Sequence, residues 1–171
     1  MKDALSGNKP LLSEKGMDDT IAAFEKEIKA KQEARMKQAA EKNKKEGETY
    51  LTENKKKEGI IALPSGLQYK VIKKGSGKKP KPSDTVTTHY KGTLIDGTEF
   101  DSSYKRGQPV SFQVGGVIAG WTEALQLMEE GAKWQLFIPS QLAYGERGAG
   151  PIGPNATLIF EVELISIQEK K

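Results

Sequence analysis

The first third of the chain carries a helical pattern of apolar positions that stops early. Apolar residues recur at spacings of four, three and four, at Met17, Ile21, Phe24 and Ile28, which places them on one face of an α-helix. The stretch that follows is rich in Lys, Glu, Gln and Ala, which favour helix, but it lacks an apolar face. The pattern predicts one long, largely free-standing α-helix over residues 13–57.

The apolar stripe at the start of this helix has two interpretations. It is either a face that pairs with the same helix of a second copy, or a face that packs on the chain's own Leu11 and Leu12. The charged stretch after it holds most of the 12 basic and 10 acidic residues found between residues 13 and 57. Because these charges nearly cancel, a solvated spacer is favoured over a nucleic-acid track. Gly47 is expected to weaken the helix by about 1 kcal/mol relative to alanine.

After Glu58 the pattern changes to short runs in which apolar and polar residues alternate. Such runs, typical of half-buried strands, occupy residues 67–71, 84–94, 110–114 and 157–167, residues 59–63 form a short apolar run, and residues 133–138 form a further predicted strand. Asp96-Gly97 predicts a hairpin turn. One segment instead has the spacing of a one-sided helix, at Trp121, Ala124, Leu125 and Met128, and Gly131 is expected to close it. The sequence predicts an α+β domain over residues 58–171, with an antiparallel β-sheet wrapped around a short helix.

Composition removes several classes of function. The chain has 171 residues, no cysteine, one histidine and a net charge of +4. These counts exclude disulfides, thiol nucleophiles and cysteine-ligated metals, and they argue against histidine-based metal sites and triads. No stretch is apolar over the roughly 18 residues that a membrane span needs, and no apolar signal segment follows Met1.

Two isolated features are best explained without a function. The single histidine, His89, alternates with Tyr90 on one predicted strand, and a packing or surface role is favoured over catalysis. Lysines cluster in a Gly/Pro-rich loop at positions 73, 74, 78, 79 and 81. A solvated loop is favoured there over a site for nucleic acid or acidic lipid, because no aromatic residues are interleaved.

Four motifs in the second region, in this order, resemble the FKBP family of peptidyl-prolyl cis–trans isomerases. They read HYKGTLIDGTEFDSS at 89–103, VIAGW at 117–121, IPSQLAYG at 138–145 and IGPNATLIF at 152–160. The charged helix followed by LPSGLQYKV at 63–71 is similar to the macrophage infectivity potentiator (Mip) branch of Gram-negative bacteria. The resemblance implies the FKBP-like fold, with residues 1–12 as a remnant of an N-terminal dimerisation domain and residues 13–57 as the connecting helix.

The resemblance also implies an activity and a setting. It implies a rotamase that uses no cofactor or metal, accelerates Xaa-Pro bond rotation in proline-containing peptides and proteins, assists folding, and binds macrolides such as rapamycin. A role in virulence and a location in the periplasm or outer membrane are further expectations from the Mip branch. Since no export signal and few dimerisation helices are visible, we expect an N-terminally shortened member whose homodimer depends on the missing helices. No nucleic-acid partner is expected.

The family's site residues carry over by position. Trp121 is implied as the floor under the substrate proline, Asp101 as the polar group at the rim, and Tyr144 as a hydroxyl donor to a substrate carbonyl. Ile118 is implied to supply a backbone amide as well as an apolar wall. The remaining walls are implied to be Tyr90, Phe100, Phe112, Val117, Ile152 and Phe160.

This chemistry needs neither a nucleophile nor a metal. The barrier to peptide rotation, about 18–20 kcal/mol, reflects double-bond character from a charge-separated resonance form. An apolar pocket disfavours that form, and hydrogen bonds placed for the twisted state add differential stabilisation. The alternative is a proline-recognising binding module or chaperone on the same fold with little isomerase activity.

Overall fold

A single antiparallel sheet of seven strands organises the chain after its first helix. The computed structural model describes residues 14–171. Its helices are α1 (Glu14–Asn54), α2 (Ser103–Arg106) and α3 (Ala119–Leu127), and its strands are β1 (Ile60–Ala62), β2 (Gln68–Lys73), β3 (Thr85–Leu94), β4 (Glu99–Ser102), β5 (Val110–Gln113), β6 (Lys133–Ile138) and β7 (Leu158–Gln168). The order in the sheet is β1-β2-β6-β7-β3-β4, and β5 pairs with the first half of β3. The predicted fold class, an antiparallel sheet with a short helix after a long one, is confirmed.

The ladder between β3 and β7 is the longest in the sheet, and both strands alternate as predicted. On β3 the buried face carries Val86, Thr88 and Tyr90. On β7 the buried residues are Leu158, Phe160, Val162 and Leu164. Each large apolar side chain buried in this way stabilises the fold by about 1.5–3 kcal/mol, so this alternation specifies which face of the sheet receives α3.

Helix α3 packs on the sheet with the residues that its spacing predicts. Trp121, Ala124 and Leu125 are buried, and Gly120 lies so close to β6 that a Cβ there would meet Ile138 Cγ2 at 2.6 Å. The prediction that Gly131 closes this helix is wrong. Met128 already has extended backbone, and the amide of Gly131 donates to Leu164 O on β7, so tertiary hydrogen bonds replace the helical ones.

A short helix between β4 and β5 was not predicted. Helix α2 has only four residues, too few for a periodic apolar pattern to be recognised in the sequence. It ends at Gly107, whose left-handed φ of 73° lets its amide donate back to Tyr104 O.

The chain divides into two compact units, residues 1–38 and 39–171. The described part of the first unit is the beginning of α1. Its apolar stripe is exposed, with Phe24 63% and Ile28 40% accessible, whereas Leu11 and Leu12 lie outside the described residues. Within residues 14–171, no helix combines the length and the apolar character needed to cross a lipid bilayer.

In the second unit, the last turns of α1 pack against the sheet. The buried Gln68 of β2 donates from Nε2 to Leu51 O at 2.9 Å, so its side-chain amide finds an acceptor at the end of α1. The buried Asn54 donates from Nδ2 to Gln68 Oε1 at 3.0 Å. The Tyr50 ring lies 6.3 Å from that of Phe137 on β6. The unit that contains the sheet therefore begins at Ala39 rather than near Glu58, and this part of α1 is not free-standing.

Gly47 is a contact point rather than a weak position in an isolated helix. It is buried against Thr157, and a Cβ at this position would overlap Thr157 Oγ1 and lie 3.2 Å from Thr157 Cβ. Glycine thus allows α1 to approach the segment before β7 closely.

We expect Gly47→Ala to destabilise the protein by about 1–3 kcal/mol, because the overlap with Thr157 outweighs a gain in helix propensity of about 1 kcal/mol. Urea unfolding of the wild type and the variant measures the difference. In a Thr157→Ala background the loss should shrink. A Gly47→Ala protein more stable than the wild type would contradict the close approach.

Candidate active site

A largely apolar cavity of about 490 Å³ opens beside α3. Residues from β3, β4, β5, β7, α3 and two loops line it, namely Tyr90, Phe100, Asp101, Phe112, Gly116, Val117, Ile118, Trp121, Tyr144 and Phe160. The structure therefore brings nine of the ten site residues expected from the sequence to one cavity. Their convergence depends on the sheet, since they are spread over some seventy positions of the chain.

Trp121 is the centre of the aromatic packing. Three rings meet its indole nearly at right angles: Tyr90 at 5.2 Å, Phe112 at 5.5 Å and Phe160 at 5.3 Å between ring centroids. Edge-to-face contacts of this kind stabilise by about 0.5–1.5 kcal/mol beyond area burial. They also prevent rotation of the indole, so its remaining surface forms a rigid apolar lining. Its buried Nε1 has no hydrogen-bond acceptor among the described residues.

One wall of the cavity depends on the absence of a side chain. The Phe100 and Phe160 rings pack edge to face at 5.4 Å, above Gly92 of β3. A Cβ on Gly92 would lie 2.6 Å from Phe100 Cζ and 2.7 Å from Phe160 Cε1. Because no real Cβ tolerates such distances, glycine is required for this pair of rings to occupy the wall.

A polar network lies at the rim of the cavity. Tyr90 donates its hydroxyl hydrogen to Asp101 Oδ2 at 2.6 Å. Arg106 of α2 donates to Asp101 Oδ1 at 2.6 Å and to the Tyr90 hydroxyl at 2.7 Å. The three side chains therefore form a closed hydrogen-bonded ring, in which the Asp101 carboxylate remains 40% accessible.

The network favours the charged form of Asp101 and the neutral form of Tyr90. Burial raises the pKa of Asp101, but hydrogen bonds from Tyr90 and Arg106 outweigh it and hold that pKa below its usual value. Burial, followed by the hydrogen bond to Asp101, raises the pKa of Tyr90. At neutral pH, Asp101 is thus a carboxylate and Tyr90 is a hydrogen-bond donor to it.

Two donors at the cavity are free to bind a ligand. The Tyr144 side chain is 41% exposed, and its hydroxyl bonds to no other residue in the described part of the chain. Ile118 precedes the first turn of α3, and within residues 14–171 nothing accepts a hydrogen bond from its amide. Free amides at a helix start are suited to a carbonyl oxygen.

Ile152 is the expected wall residue that does not line the cavity. It is buried in the core and forms a two-bond bridge with Ala149 in the loop between residues 146 and 151. That loop has no periodic pattern, so the sequence could not indicate which of its side chains turn inward.

The sequence reasoning missed Arg106 and Gly116. Arg106 lies five positions after Asp101, on helix α2, which was not predicted. The only signal for its role in the sequence was a cationic residue close to an acidic one. Gly116 lines the cavity without a side chain that could have marked it.

His89 packs against neighbouring side chains, in agreement with the packing or surface role that was favoured over catalysis. Its Nδ1 lies 2.8 Å from the hydroxyl of the buried Ser103, and its ring stacks on Tyr104 at 4.7 Å. Ser103 also accepts from the Tyr90 amide at 2.8 Å and donates to Tyr90 O at 3.2 Å. Among the described residues, no group of three or more His, Cys, Asp or Glu side chains is placed to hold a metal ion.

Comparison with known proteins identifies the family. The domain described as "FKBP-type peptidyl-prolyl cis-trans isomerase" matches residues 76–165, which include every residue that lines the cavity. The chain belongs to the FKBP-type peptidyl-prolyl cis–trans isomerase family. The "domain amino terminal to FKBP-type peptidyl-prolyl isomerase" matches residues 1–71.

Relatives of this FKBP-type chain agree with the family branch expected from its sequence. It is 54% identical over 170 residues to "Outer membrane protein MIP" of Legionella longbeachae, covering 99% of this chain and 73% of the relative. It is 45% identical over 168 residues to the isomerase FkpA of Escherichia coli (strain K12), covering 98% of this chain but 62% of the relative. The FkpA crystal structure superposes with a TM-score of 0.88 at 45% identity, covering 94% of this chain and 76% of that one. The predicted family, Mip-like character and enzyme class are confirmed.

We expect the contribution of Asp101 to stability to disappear in acid. Its pKa is depressed in the folded protein, so the contribution is present above the unfolded value of about 3.9 and is lost as pH falls through the folded value. The difference in unfolding free energy between wild type and Asp101→Asn, measured by urea titration, should therefore shrink below about pH 4.

The matched background for this experiment is Arg106→Leu. Without the guanidinium, the effect of Asp101→Asn at neutral pH should be smaller, because two of the hydrogen bonds in the network are already absent. An Asp101→Asn effect that stays constant from pH 7 to pH 2 would contradict the assigned role of the carboxylate.

Proposed function

We propose that this chain is a peptidyl-prolyl cis–trans isomerase that rotates Xaa-Pro bonds of protein substrates in the cavity above Trp121. The observation that carries the proposal is the combination of a rigid aromatic lining with two unoccupied hydrogen-bond donors, Tyr144 and Ile118. A proline ring is an apolar group whose flanking carbonyls accept hydrogen bonds, so it matches both features.

The apolar lining acts on the ground state of the imide bond. The planar imide gains double-bond character from a charge-separated resonance form, which water stabilises. With the proline ring on Trp121 and against the wall formed by Phe100 and Phe160, water is excluded from the C–N bond and this form is disfavoured. The twisted state has lost the resonance, so it suffers less from the transfer into an apolar site.

The two donors act on the twisted state. We propose that Ile118 N–H and the Tyr144 hydroxyl bind substrate carbonyls in an orientation that the twisted bond reaches more easily than the planar one. A rate gain of about a million-fold corresponds to roughly 8 kcal/mol, which desolvation and two directed hydrogen bonds can share. No nucleophile or metal takes part in such a rotation.

Asp101 has a positioning role in this proposal. Its carboxylate holds the Tyr90 hydroxyl, and Tyr90 in turn packs edge-on against Trp121. The charge at the rim also orients the polar backbone of a substrate that enters the cavity.

The biological setting is proposed from the relatives. One of them is named an outer membrane protein, and others are named FKBP-type peptidyl-prolyl isomerases. We infer that the present protein assists the folding of proline-containing proteins in the periplasm or at the outer membrane of a Gram-negative bacterium, with a Mip-like contribution to virulence. Macrolides such as rapamycin are proposed to occupy the same cavity as inhibitors.

The decisive experiment measures cis-to-trans relaxation of short Xaa-Pro peptides with and without rapamycin. The wild type should accelerate relaxation, and rapamycin should abolish the effect. Tyr144→Phe, which keeps the ring but removes one hydrogen bond, should lower kcat/KM by about two- to tenfold, since such a bond contributes about 0.5–1.5 kcal/mol. Trp121→Ala should lower it further, provided that circular dichroism shows a folded protein.

The control is Tyr69→Phe, which removes the hydroxyl of a tyrosine that stacks on Trp134 outside the cavity. It should leave kcat/KM unchanged. Rapamycin binding without any acceleration would contradict the isomerase and favour a proline-binding module or chaperone. A protein that neither binds rapamycin nor accelerates relaxation would contradict the assignment of this cavity as the site of isomerisation.

We also propose that the apolar stripe of α1 pairs with a second copy of the chain. Phe24 and Ile28 are exposed in the described structure, and association would remove them from water. Phe24→Gln/Ile28→Gln should therefore weaken self-association by at least tenfold, measured by sedimentation equilibrium. The control is Lys37→Gln/Glu41→Gln, on the polar part of the same helix. A wild type that is monomeric at high concentration would overturn this proposal.

A further inference from the structure

The segment that carries Tyr144 lies between two hollows of the molecule. One is the cavity above Trp121, which Tyr144 itself lines. The other is a crevice of about 260 Å³ between this segment and α1, lined by Lys44, Glu48, Leu51, Pro139, Ser140, Gln141, Gly145, Glu146, Asn155 and Thr157. The end of α1 is therefore a neighbour of the segment that supplies the Tyr144 hydroxyl.

Two asparagines tie α1 to the loop before β7. Asn43 donates from Nδ2 to Pro154 O at 2.8 Å, and Pro154 is itself buried. Asn155 donates from its own Nδ2 to Ala40 O at 3.3 Å. Asn155 has a φ of 54°, the only positive value of a residue other than glycine in the described chain. One of these hydrogen bonds is donated by α1 to the loop and the other by the loop to α1, and together they hold the loop in this unusual conformation.

The same loop holds the backbone next to Tyr144. The amide of Asn155 donates to Gly145 O at 2.8 Å, and the amide of Gly145 donates to Ser140 O at 2.9 Å. Gly145 is therefore fixed on both sides, and Tyr144 directly precedes it. A continuous set of hydrogen bonds runs from α1 through residues 154 and 155 to this position.

We propose that Asn43 and Asn155 are positioning residues for isomerisation, which make α1 the support that orients Tyr144. This inference rests on the proposed function, because it assigns Tyr144 the role of a donor to substrate. The support acts from behind the segment and touches neither the cavity nor the substrate. Its effect on rate comes only from the place it gives to the Tyr144 hydroxyl.

The test compares Asn43→Ala and Asn155→Gly with Asn54→Ala in the complete chain. Glycine tolerates the left-handed φ, so Asn155→Gly removes the side-chain hydrogen bond and not the turn. Asn54 is the matched control, because it lies on the same helix and is buried, but its side chain binds Gln68 of β2. All measurements are made at a temperature where each variant is fully folded.

We expect Asn43→Ala and Asn155→Gly to lower kcat/KM by about three- to tenfold, since displacing a substrate-binding group by a fraction of an ångström weakens transition-state contacts. Asn54→Ala should have no comparable effect even if it lowers the melting temperature more. In a Tyr144→Phe background, Asn43→Ala should cause no further loss, because the hydroxyl that it positions is already absent.

A second readout does not depend on activity. Hydrogen exchange at the Asn155 amide, which donates to Gly145 O, should accelerate in Asn43→Ala and not in Asn54→Ala. Equal effects of the two variants on kcat/KM, or losses that simply add to that of Tyr144→Phe, would overturn the proposal.

The failure of the proposed function is distinguishable from the failure of this inference. A wild type without isomerase activity would contradict the function and with it the catalytic part of the inference. Exchange at Asn155 would then still decide whether α1 holds the loop, and unchanged exchange in Asn43→Ala would overturn that part as well.

Discussion

The nearly perpendicular packing of three aromatic rings against Trp121 is the constraint on which the site depends. Each ring comes from a different strand: Tyr90 from β3, Phe112 from β5 and Phe160 from β7. A shift of one residue in the register of any of these strands would turn its ring to the opposite face of the sheet. Gly92 pairs with Phe160 on one side and with Asp101 on the other, so the same registers determine the apolar wall and the polar rim.

Tyr90 joins the core and the polar rim in one side chain. Its ring is buried against Trp121, while its hydroxyl completes the network of Asp101 and Arg106. A tyrosine is suited to this position because its body is apolar and its end must find a partner when it is buried. The network thereby places a carboxylate next to an apolar cavity without leaving its charge unpaired.

The parts of the site that the sequence could predict are those on regular elements. Tyr90, Phe112 and Phe160 belong to alternating strands and Trp121 to a one-sided helix, so their buried faces follow from periodicity, and the family motifs added their roles. Arg106 escaped prediction because α2 is too short to show a period. Ile152 was expected at the cavity but packs in the core, since a loop with left-handed glycines carries no pattern that fixes the direction of a side chain.

Composition and packing indicate different boundaries for the folded domain at the end of α1. Residues 39–54 are about as rich in charged residues as the part of α1 before them. They nevertheless make a few contacts with the sheet and the loop before β7, which composition does not indicate. Asn43 satisfies the carbonyl of the buried Pro154, and the Leu51 carbonyl accepts a hydrogen bond from the buried Gln68 side chain.

A boundary near Glu58 would remove both partners, and each unsatisfied buried polar group costs about 1–3 kcal/mol. Gly47 shows the same conflict in a single residue, since helix propensity treats it as a defect and the contact with Thr157 requires it. The domain therefore extends into α1 because hydrogen bonds and close packing, rather than a continuous apolar face, attach the helix to the sheet.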